Sequence, residues 1–448
     1  MEISLAQKYG GSVPRYTSYP TVPHFSTEIG ADAYADWLGG VSDGDAASFY
    51  LHVPFCQAMC WYCGCFTKVV NRYSPVSDYV NALLAETDVV RSHLGGKPDV
   101  RFIHWGGGSP TILSAEDFER IVARLHRNFS ISKSAEIALE MDPRTTTQAY
   151  VRALAHAGIN RVSIGVQDFD ATVQKAINRV QPFDVTARVV GWLHDAGITS
   201  VNLDLMYGLP HQTEALIAAM TDKALSLQPT RIALFGYAHV PWMKAHQRLI
   251  DETALPDLEA RWRQANLAAE MLQDAGYVRI GLDHFAHPDD PLAKPDGGAV
   301  RRNFQGYTTD DAGSLIGFGA SAIGTLPNGY IQNIASIKSY REAVTSGKLA
   351  TARGLALSND DRLRRAVIDQ IMCALEVDLD SACRAFGVEE AYLDEALATL
   401  EPLAADDLIE IAGRRIRVTE RGRPLVRTAA AAFDNYLSTG KGRHSAAV

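Results

Sequence analysis

Cysteine is scarce in this sequence and unevenly spread: the chain has six cysteines in 448 residues, and four of them lie between residues 56 and 65. A secreted protein held together by disulfides would distribute its cysteines more widely, so that class is excluded and a reducing cytoplasm is predicted. No apolar run approaches the ~20 residues that a membrane-spanning helix needs. The first residues, 1–6, also lack the basic and then apolar pattern of a secretory signal.

An excess of positive charge is absent as well. The formal net charge is -9 and the isoelectric point is near 5.8, which disfavours general binding to nucleic acid or to an anionic membrane. Hydrophobic residues make up 47% and charged residues 21%, as in ordinary globular proteins and unlike disordered ones. A chain of this length predicts two or three domains.

Strand-like and helix-like patterns alternate through most of the chain. Apolar, β-rich runs predict strands near residues 48–53, 100–105, 137–141, 161–166, 201–206 and 231–237. Helical periodicity predicts helices near residues 78–94, 115–128, 148–157, 185–196 and 214–227. Alternation of this kind is typical of parallel βαβ units, and hence of an α/β fold with a partial (β/α) barrel. Such a barrel carries its chemistry at the carboxyl ends of its strands.

The two ends of the chain have a different character. Two prolines between residues 11 and 21 predict an extended N-terminal arm. Towards the C-terminus, helical patterns precede a hairpin over residues 407–419 that turns at Ala412-Gly413, which is typical of a winged-helix-like module. We therefore predict an arm at 1–47, a catalytic barrel with its extension at 48–350, and a C-terminal helical domain at 351–448.

The dense cysteine window follows the first predicted strand. Cys56, Cys60 and Cys63 are spaced C-x3-C-x2-C. A disulfide is disfavoured by the predicted compartment, buried structural cysteines rarely cluster so densely, and a zinc site would need a further ligand pair at a distance. An iron–sulfur cluster fits better, because thiolates are its usual ligands. Three thiolates on a [4Fe–4S] cube leave one iron open to a substrate or cofactor.

Motifs along nearly the whole chain carry a resemblance to a known family. They are the cysteine motif and residues 14–20 (PRYTSYP), 63–65 (CGC), 104–108 (HWGGG), 165–169 (GVQDF), 204–210 (DLMYGLP), 237–239 (YAH), 283–286 (DHFA) and 303–309 (NFQGYTT). The cysteine motif resembles that of the radical S-adenosylmethionine (SAM) enzymes. Together the motifs resemble those of the oxygen-independent coproporphyrinogen III oxidases, also called coproporphyrinogen dehydrogenases.

The resemblance implies an activity and a set of site residues. The implied reaction is the oxidative decarboxylation of two propionates of coproporphyrinogen III to vinyl groups, which gives protoporphyrinogen IX in haem biosynthesis. Cys56, Cys60 and Cys63 would hold the [4Fe–4S] cluster. Two S-adenosylmethionine molecules would bind beside it. Positions matching the first site are Tyr50, Gly107, Glu140 and Ile323. Positions matching the second are Tyr62, Gly108, Ser109, Gln167, Arg179, Asp204 and Ala238.

Substrate contacts and partners are further expectations. A substrate with four carboxylates needs a locally basic mouth in an acidic protein, and arginine forks suit carboxylates. Arg15, Arg301 and Arg302 are the candidates, and Cys65 has a possible local role. We expect a reducing electron donor such as flavodoxin or ferredoxin, no nucleic-acid or membrane partner, and a monomer.

The resemblance leaves another radical SAM tetrapyrrole enzyme as an alternative, and two functions of other classes also compete with this one. The first is a haem chaperone related to the oxidases; Cys65 and the arm at residues 14–20 favour the enzyme. The second is a redox-sensing DNA-binding regulator, for which the C-terminal module would supply basic residues. These are Arg414, Arg415, Arg417, Arg421 and Arg423.

Overall fold

The computed structural model describes residues 3–294 and 300–437. Its helices are α1 (Ile3–Tyr9), α2 (Ala31–Gly39), α3 (Ser74–His93), α4 (Ala115–Asn128), α5 (Gln148–His156), α6 (Ala171–Ala176), α7 (Phe183–Asp195), α8 (Glu214–Ser226), α9 (Leu258–Asp274), α10 (Ile337–Thr345), α11 (Asn359–Ala374), α12 (Leu379–Ala385), α13 (Asp394–Ala398), α14 (Glu401–Ala405) and α15 (Val426–Ala431).

The first strands are β1 (Ala46–Val53), β2 (Phe55–Cys56), β3 (Lys68–Val69), β4 (Asp99–Gly107), β5 (Ser130–Met141), β6 (Arg161–Gln167), β7 (Ser200–Tyr207), β8 (Arg231–Gly236), β9 (Val278–Ile280) and β10 (His284–Ala286). The later strands are β11 (Arg301–Asn303), β12 (Gly306–Thr308), β13 (Ser314–Phe318), β14 (Ile323–Leu326), β15 (Gly329–Asn333), β16 (Thr351–Ala356), β17 (Glu376–Asp378), β18 (Ile409–Ala412) and β19 (Arg415–Val418).

One large sheet organises the molecule. Within the described ranges it has twelve strands, in the order β16-β15-β14-β13-β1-β4-β5-β6-β7-β8-β10-β9. The strands from β13 to β8 in this order are parallel, and the strands at both edges pair antiparallel. Helices connect the successive parallel strands, so the sheet forms the partial (β/α) barrel predicted from the sequence. Its carboxyl-end loops therefore meet at one rim.

The six predicted strands are confirmed as β1 and β4–β8, and the predicted helices as α3, α4, α5, α7 and α8. Side-chain caps explain several of the helix starts. Ser114 accepts a hydrogen bond from the Asp117 amide at the start of α4, and Thr213 accepts one from Leu216 at the start of α8. The edge strands β9, β10 and β14–β16 were not predicted, since each is too short or too irregular to show a clear period of two.

The main core lies between this sheet and its helices. Phe49 and Leu51 of β1, Trp105 of β4, and the facing Tyr79 and Phe118 are all at most 1% exposed. A parallel sheet covered by helices buries both of its faces, which explains the nearly continuous apolar runs in these strands. Among the described residues, the structure contains no helix long and apolar enough to cross a membrane.

A second core belongs to the C-terminal domain. The three-stranded sheet β17-β19-β18 packs with α11–α15, and the predicted hairpin is confirmed, with Gly413 in the left-handed region at its turn (φ 63°). The strand β16 still pairs with β15 of the main sheet. We therefore place the start of this domain after β16, and its last part, residues 438–448, lies outside the described residues.

The first part of the N-terminal arm packs into this second core, whereas α2, near the end of the arm, packs into the main core through Tyr34 and Leu38. Leu5, Tyr16 and Tyr19 are buried among residues of the C-terminal domain. The Tyr16 hydroxyl donates to Asp434 (3.0 Å), and the Tyr9 hydroxyl donates to the carbonyl of Pro402 (2.8 Å). The arm begins with the short helix α1, which the sequence did not predict. The first part of the arm and the C-terminal domain thus form one packed unit beside the barrel mouth.

Candidate active site

The cysteine window forms a loop that leaves β1 at the rim of the barrel. Its start is held by the pairing of β2 with β3, in which Cys56 lies opposite Val69. The Cys63 amide donates to the Cys60 carbonyl (3.2 Å), which closes a tight turn between two of the cysteines. Cys60 is buried, Cys56 and Cys63 are half-buried, and Cys65 is exposed.

Neighbouring loops fix the backbone of this window on two sides. On one side, Asn178 donates to the carbonyl of Met59 (2.8 Å), and the Trp61 amide donates to the carbonyl of Ile177. On the other side, side chains from the segment after β8 reach the carbonyls of residues 62–65. These contacts are Gln247 to Tyr62 (3.0 Å), His246 to Cys63 (2.7 Å) and Lys244 to Cys65 (3.2 Å).

The thiols lie among cationic and hydrogen-bonding groups. Arg179 Nη1 is 3.6 Å and Arg144 Nη2 is 3.8 Å from Cys60 Sγ, and the Thr67 hydroxyl donates to Cys56 Sγ (3.3 Å). A hydrogen bond from the Cys65 thiol lowers the pKa of Cys63 to about 6. Burial raises the pKa of Cys56 to about 11. Positive groups around sulfur favour thiolates, the form that binds iron.

A single metal ion does not suit this arrangement, whereas an iron–sulfur cluster does. In the described part of the chain, no group of three or more His, Cys, Asp or Glu side chains converges closely enough to hold one ion. In a [4Fe–4S] cluster each thiolate binds its own iron, so the sulfurs need not meet at one point. The donor set of three thiols with facing arginines therefore fits a cluster.

A glycine-lined cradle lies beside the cysteine loop at the end of β4. The Gly107 backbone is in the left-handed region (φ 120°), which side chains rarely adopt. A Cβ atom on Gly108 would come within 2.6 Å of the Phe55 carbonyl oxygen. The Gly107 amide points to Glu140 Oε2 (3.3 Å). The Gly108 amide donates to the Val53 carbonyl (2.9 Å). Only glycine permits this close approach between the end of β4 and the start of the cysteine loop.

Four polar residues predicted to hold the cofactor come together at adjacent strand ends. Burial, followed by the charge of Glu140, raises the pKa of Asp204 to about 6, so these two carboxylates lie near each other. A Cβ atom on Gly165 would lie 3.1 Å from Arg179 Nη2 and 3.2 Å from Gln167 Nε2, so that glycine lets both side chains converge. Ser163 and Asn202 donate to the Asp204 carboxylate at 3.0 and 2.7 Å.

The remaining predicted cofactor positions are placed around the same rim. The Tyr50 hydroxyl is 2.9 Å from His52 Nδ1 at the end of β1, and the Ser109 hydroxyl is 2.9 Å from that of Thr111 after β4. Tyr62 is half-buried within the cysteine loop, Ala238 follows β8, and Ile323 begins β14. The structure thus brings the predicted set to one end of the barrel; their roles stay predictions.

A cavity of about 470 Å³ opens between the barrel rim, the arm and the C-terminal domain. Aromatic side chains form much of its wall. Five arginines line it, together with a single acidic residue, Asp283; they are Arg15, Arg261, Arg279, Arg302 and Arg427. Each arginine comes from a different segment, which is why Arg261, Arg279 and Arg427 were missed in the sequence: no local motif groups them.

Of the predicted substrate arginines, Arg15 and Arg302 line this cavity and Arg301 does not. Arg301 and Arg302 are neighbours on β11, and successive residues of a strand point to opposite faces. The Arg301 side chain is half exposed and lies 3.3 Å from Asp369 on α11. We therefore drop Arg301 from the candidate set.

Positive charge is crowded inside the cavity. Burial, together with the charge of Arg423, lowers the pKa of Arg279 to about 10. Burial and the charge of Arg15 likewise lower the pKa of Arg427 to about 10. Burial alone would raise the pKa of Asp283, but the Arg302 guanidinium and a hydrogen bond from His284 hold it well below its usual value. Within the described residues, the buried Arg279 Nε and Arg302 Nη1 atoms have no hydrogen-bond partner. An anionic ligand would satisfy these groups and relieve their repulsion.

The cavity and the cysteine loop share a side chain. Gln247 donates from Nε2 to the carbonyls of both Ala238 (3.3 Å), which lines the cavity, and Tyr62 (3.0 Å). A ligand in the cavity therefore lies next to the cofactor rim.

Comparisons with known proteins agree with this geometry. Residues 50–224 match the radical SAM superfamily, and residues 357–425 match the HemN C-terminal domain. The chain is 49% identical to the oxygen-independent coproporphyrinogen III oxidase of Bradyrhizobium diazoefficiens, with all of both chains covered. It is 44% identical to that of Paracoccus denitrificans, covering 98% of this chain and 97% of the relative.

A solved structure is similar over the same extent. Coproporphyrinogen III oxidase (HemN) from Escherichia coli, described as a radical SAM enzyme, aligns with a TM-score of 0.91 and 36% identity. The alignment covers 97% of this chain and 99% of that one. The chain therefore belongs to the oxygen-independent coproporphyrinogen III oxidase family of radical SAM enzymes.

Proposed function

We propose that this protein converts coproporphyrinogen III to protoporphyrinogen IX without oxygen, by oxidative decarboxylation of two propionates to vinyl groups. The observation that carries the proposal is the arginine-lined cavity beside the cysteine loop. Its five arginines and one carboxylate suit a tetracarboxylate, and its aromatic wall suits a pyrrole macrocycle. Its volume of about 470 Å³ lies in the range of small-molecule sites.

The cofactors are a [4Fe–4S] cluster, held in our proposal by Cys56, Cys60 and Cys63, and S-adenosylmethionine. When bound, they supply hydrogen-atom abstraction by a 5'-deoxyadenosyl group. The glycine turn at Gly107 and Gly108 would lie against the methionyl part. The rim carboxylates Glu140 and Asp204 would accept hydrogen bonds from ribose hydroxyls.

The protein's own contribution is to hold and align the substrate. Arginines would form paired hydrogen bonds with the propionates that are retained and with those that react. These bonds would hold one β-carbon hydrogen next to the cofactor rim. A small misplacement there can cost ~100-fold in rate. For each propionate, one hydrogen atom would pass to the 5'-deoxyadenosyl group and give 5'-deoxyadenosine, and loss of carbon dioxide with transfer of one electron to an external acceptor would leave a vinyl group. The arm and the C-terminal domain cover the cavity and keep water from the reacting carbon.

The partners and location that we propose go beyond the family assignment. An external reductant such as flavodoxin or ferredoxin would supply electrons. We propose a cytoplasmic monomer, supported by six free cysteines and by the small number of exposed apolar side chains. We also propose that nucleic acid is no partner.

The charges of the C-terminal hairpin support that last point. Arg417 lies 2.8 Å from Glu410, Arg414 lies 2.6 Å from Asp380, and Arg423 pairs with Glu420. Arg415 and Arg421 likewise lie near carboxylates of Asp378 and Asp407. Because the five arginines that favoured a DNA-binding reading are all paired with acids, they do not form a free basic face.

The decisive experiment is anaerobic reconstitution with iron and sulfide, followed by assay with coproporphyrinogen III. We expect two equivalents of carbon dioxide per protoporphyrinogen IX. Substrate deuterated at the propionate β-carbons should transfer deuterium into 5'-deoxyadenosine. An active enzyme without deuterium transfer would contradict the mechanism, and a reconstituted protein that binds haem but makes no product would favour the haem-chaperone alternative.

A further inference from the structure

We propose that Arg144, held in place by Asp142, raises the reduction potential of the iron–sulfur cluster by placing positive charge against the sulfur of Cys60. The inference rests on the proposed function, because it takes Cys60 as a cluster ligand. It deepens that function by assigning a positioning role to two side chains that the sequence did not single out. Neither of them lines the substrate cavity.

The turn that follows β5 fixes the position of Asp142. This residue comes directly after Met141, the last residue of β5. Its amide donates to the Thr111 hydroxyl (3.3 Å), and its carbonyl accepts from the Thr146 hydroxyl (2.9 Å). The Arg144 amide donates to Asp142 Oδ1 (3.1 Å), which closes the turn around the carboxylate. The carboxylate is therefore held at the barrel rim by backbone as well as side-chain contacts.

Asp142 in turn orients the Arg144 side chain. Arg144 Nε lies 2.9 Å from Asp142 Oδ1, and Nη2 lies 2.6 Å from Oδ2. Such a paired contact restrains the plane of a guanidinium group. In that plane Arg144 Nη2 also lies 3.8 Å from Cys60 Sγ. The carboxylate thus directs one guanidinium nitrogen towards the sulfur.

The three charged groups at this place leave an excess of positive charge. Arg179 Nη1 lies 3.6 Å from Cys60 Sγ, and Arg179 Nη2 lies 3.8 Å from Asp142 Oδ1. Two guanidinium groups therefore share one carboxylate. The side chains of Arg144, Asp142 and Arg179 are only 20%, 16% and 8% exposed, so solvent screens their charges incompletely.

Arg144 is the better of the two arginines for a test. The charge of Arg179 also acts on the rim carboxylate of Asp204, and Arg179 Nη2 donates to the Gly165 carbonyl (2.6 Å). Replacing Arg179 would therefore disturb the cofactor rim as well. Among the described residues, the Arg144 side chain has its hydrogen bonds with Asp142 and Cys60.

The other two candidate ligands have neutral donors at their sulfurs. Cys56 Sγ accepts from the Thr67 hydroxyl (3.3 Å), and Cys63 Sγ accepts from the Cys65 amide (3.4 Å). Cys60 is also the one of the three that is classed as buried. A charge beside a buried sulfur has a larger effect than one beside an exposed sulfur, because less water separates the two. We therefore assign the effect to Cys60.

The direction of the effect follows from charge. Reduction of the cluster adds one electron, which the external reductant loses, and so adds one negative charge beside Cys60. Net charge and hydrogen bonds to the sulfurs set the reduction potential of such clusters. The excess positive charge therefore favours the reduced form. Asp142 acts in two opposite ways, because it offsets part of this charge while it keeps Arg144 in contact with the sulfur.

The test measures the potential itself. The enzyme is reconstituted anaerobically with iron and sulfide and titrated with dithionite, without coproporphyrinogen III or S-adenosylmethionine, and the reduced cluster is followed by electron paramagnetic resonance. The variants are Arg144→Gln, Arg144→Lys and Asp142→Asn. Arg161→Gln is the matched control, because Arg161 is similarly buried and pairs with Glu136 (3.2 Å) but lies at the amino end of β6, away from the rim.

We expect Arg144→Gln to make reduction about tenfold less favourable, which for a one-electron couple is a fall of ~59 mV. Arg144→Lys keeps the charge and should stay close to the parent. Asp142→Asn removes the negative charge but keeps the shape of the side chain, so the potential should rise. Arg161→Gln should match the parent. Opposite shifts in the two charge variants would distinguish an electrostatic role from loosening of the turn, which thermal unfolding measures separately.

Several results would overturn the inference. They are potentials that are unchanged in Arg144→Gln and Asp142→Asn, shifts of the same sign in both, or an equal fall in Arg161→Gln. Iron and sulfide contents are measured first. If Arg144→Gln assembles no cluster, Asp142→Asn decides, since a potential that does not rise contradicts the proposal. The proposed function is judged separately: a parent protein that assembles no cluster would contradict that function, whatever the variants do.

Discussion

The guanidinium of Arg302 lies 3.7 Å from the carboxylate of Asp283 inside the cavity. Asp283 is the single acidic residue among the side chains that line the cavity, and it faces an excess of arginines. In the free protein it supplies the counter-charge that a substrate carboxylate would otherwise provide. It therefore positions Arg302 and limits the repulsion among the arginines.

We predict that Asp283→Asn destabilises the free protein but strengthens anion binding. Loss of the counter-charge leaves buried guanidinium groups uncompensated, which should cost about 3 kcal/mol of unfolding free energy. Coproporphyrinogen III should restore much of this loss. Thermal unfolding with and without the substrate measures both effects, and an unchanged melting temperature in the free variant would contradict this role for Asp283.

Arg302→Ala should raise the KM for coproporphyrinogen III about tenfold or more, the usual effect of losing a charge-assisted hydrogen bond. Cofactor cleavage without substrate should persist. Arg301→Ala is the matched control, because Arg301 is next in sequence but pairs with Asp369 outside the cavity. Similar KM values in the two variants would show that Arg302 does not hold the substrate.

Replacement of Cys56, Cys60 or Cys63 by Ser should abolish the visible absorption of the cluster and all activity. Cys65→Ser should keep the cluster, because Cys65 is exposed and lies just beyond Cys63, too close to reach another iron. Visible absorption and iron content after anaerobic reconstitution distinguish these outcomes. A cluster lost in Cys65→Ser would reveal a fourth thiolate ligand and remove the open iron.

Cofactor affinity should fall as the pH drops below about 6. Burial and Glu140 raise the pKa of Asp204 to about 6, so its carboxylate is ionised above that pH and protonated below it. Only the ionised form accepts hydrogen bonds at both oxygens. The dissociation constant of S-adenosylmethionine, measured by calorimetry between pH 5.5 and 8, should therefore rise on the acid side.

Asp204→Asn is the control for that titration. It should bind the cofactor more weakly at neutral pH and lose the pH dependence near 6. Its stability should stay within about 1 kcal/mol of the parent, as for partly exposed polar sites. If Asp204→Asn kept the pH dependence of cofactor affinity seen in the parent, the titrating group would be a residue other than Asp204.

The barrel and the cofactor rim could be predicted because their signals are local. The strands β1 and β4–β8 carry continuous apolar runs, and Glu140, Gln167 and Asp204 stand at or near their carboxyl ends. The cysteine spacing is equally compact. A sheet of parallel strands brings such residues together without any further information.

The cavity could not be predicted in the same way, since its residues meet only through tertiary packing. Arg15 and Arg427 lie on segments more than 400 positions apart, and the sequence gives no sign that the arm packs on the C-terminal domain. Arg301 was predicted to contact the substrate, but it points away from the cavity. The strand register decides which face of the three-residue strand β11 points into the cavity, and the surrounding sequence does not reveal that register.

The packing of the arm on the C-terminal domain has a consequence for protein synthesis. Tyr16 and its partner Asp434 are separated by 418 positions, so the arm leaves the ribosome long before its packing surface exists. The barrel, whose contacts join neighbouring strands, can form while translation continues. The wall that carries Arg15 and Arg427 closes last. A polypeptide truncated before Pro424 would keep the cysteine loop, but its substrate cavity would be an open cleft. Only chains translated through the C-terminal domain can therefore enclose the substrate.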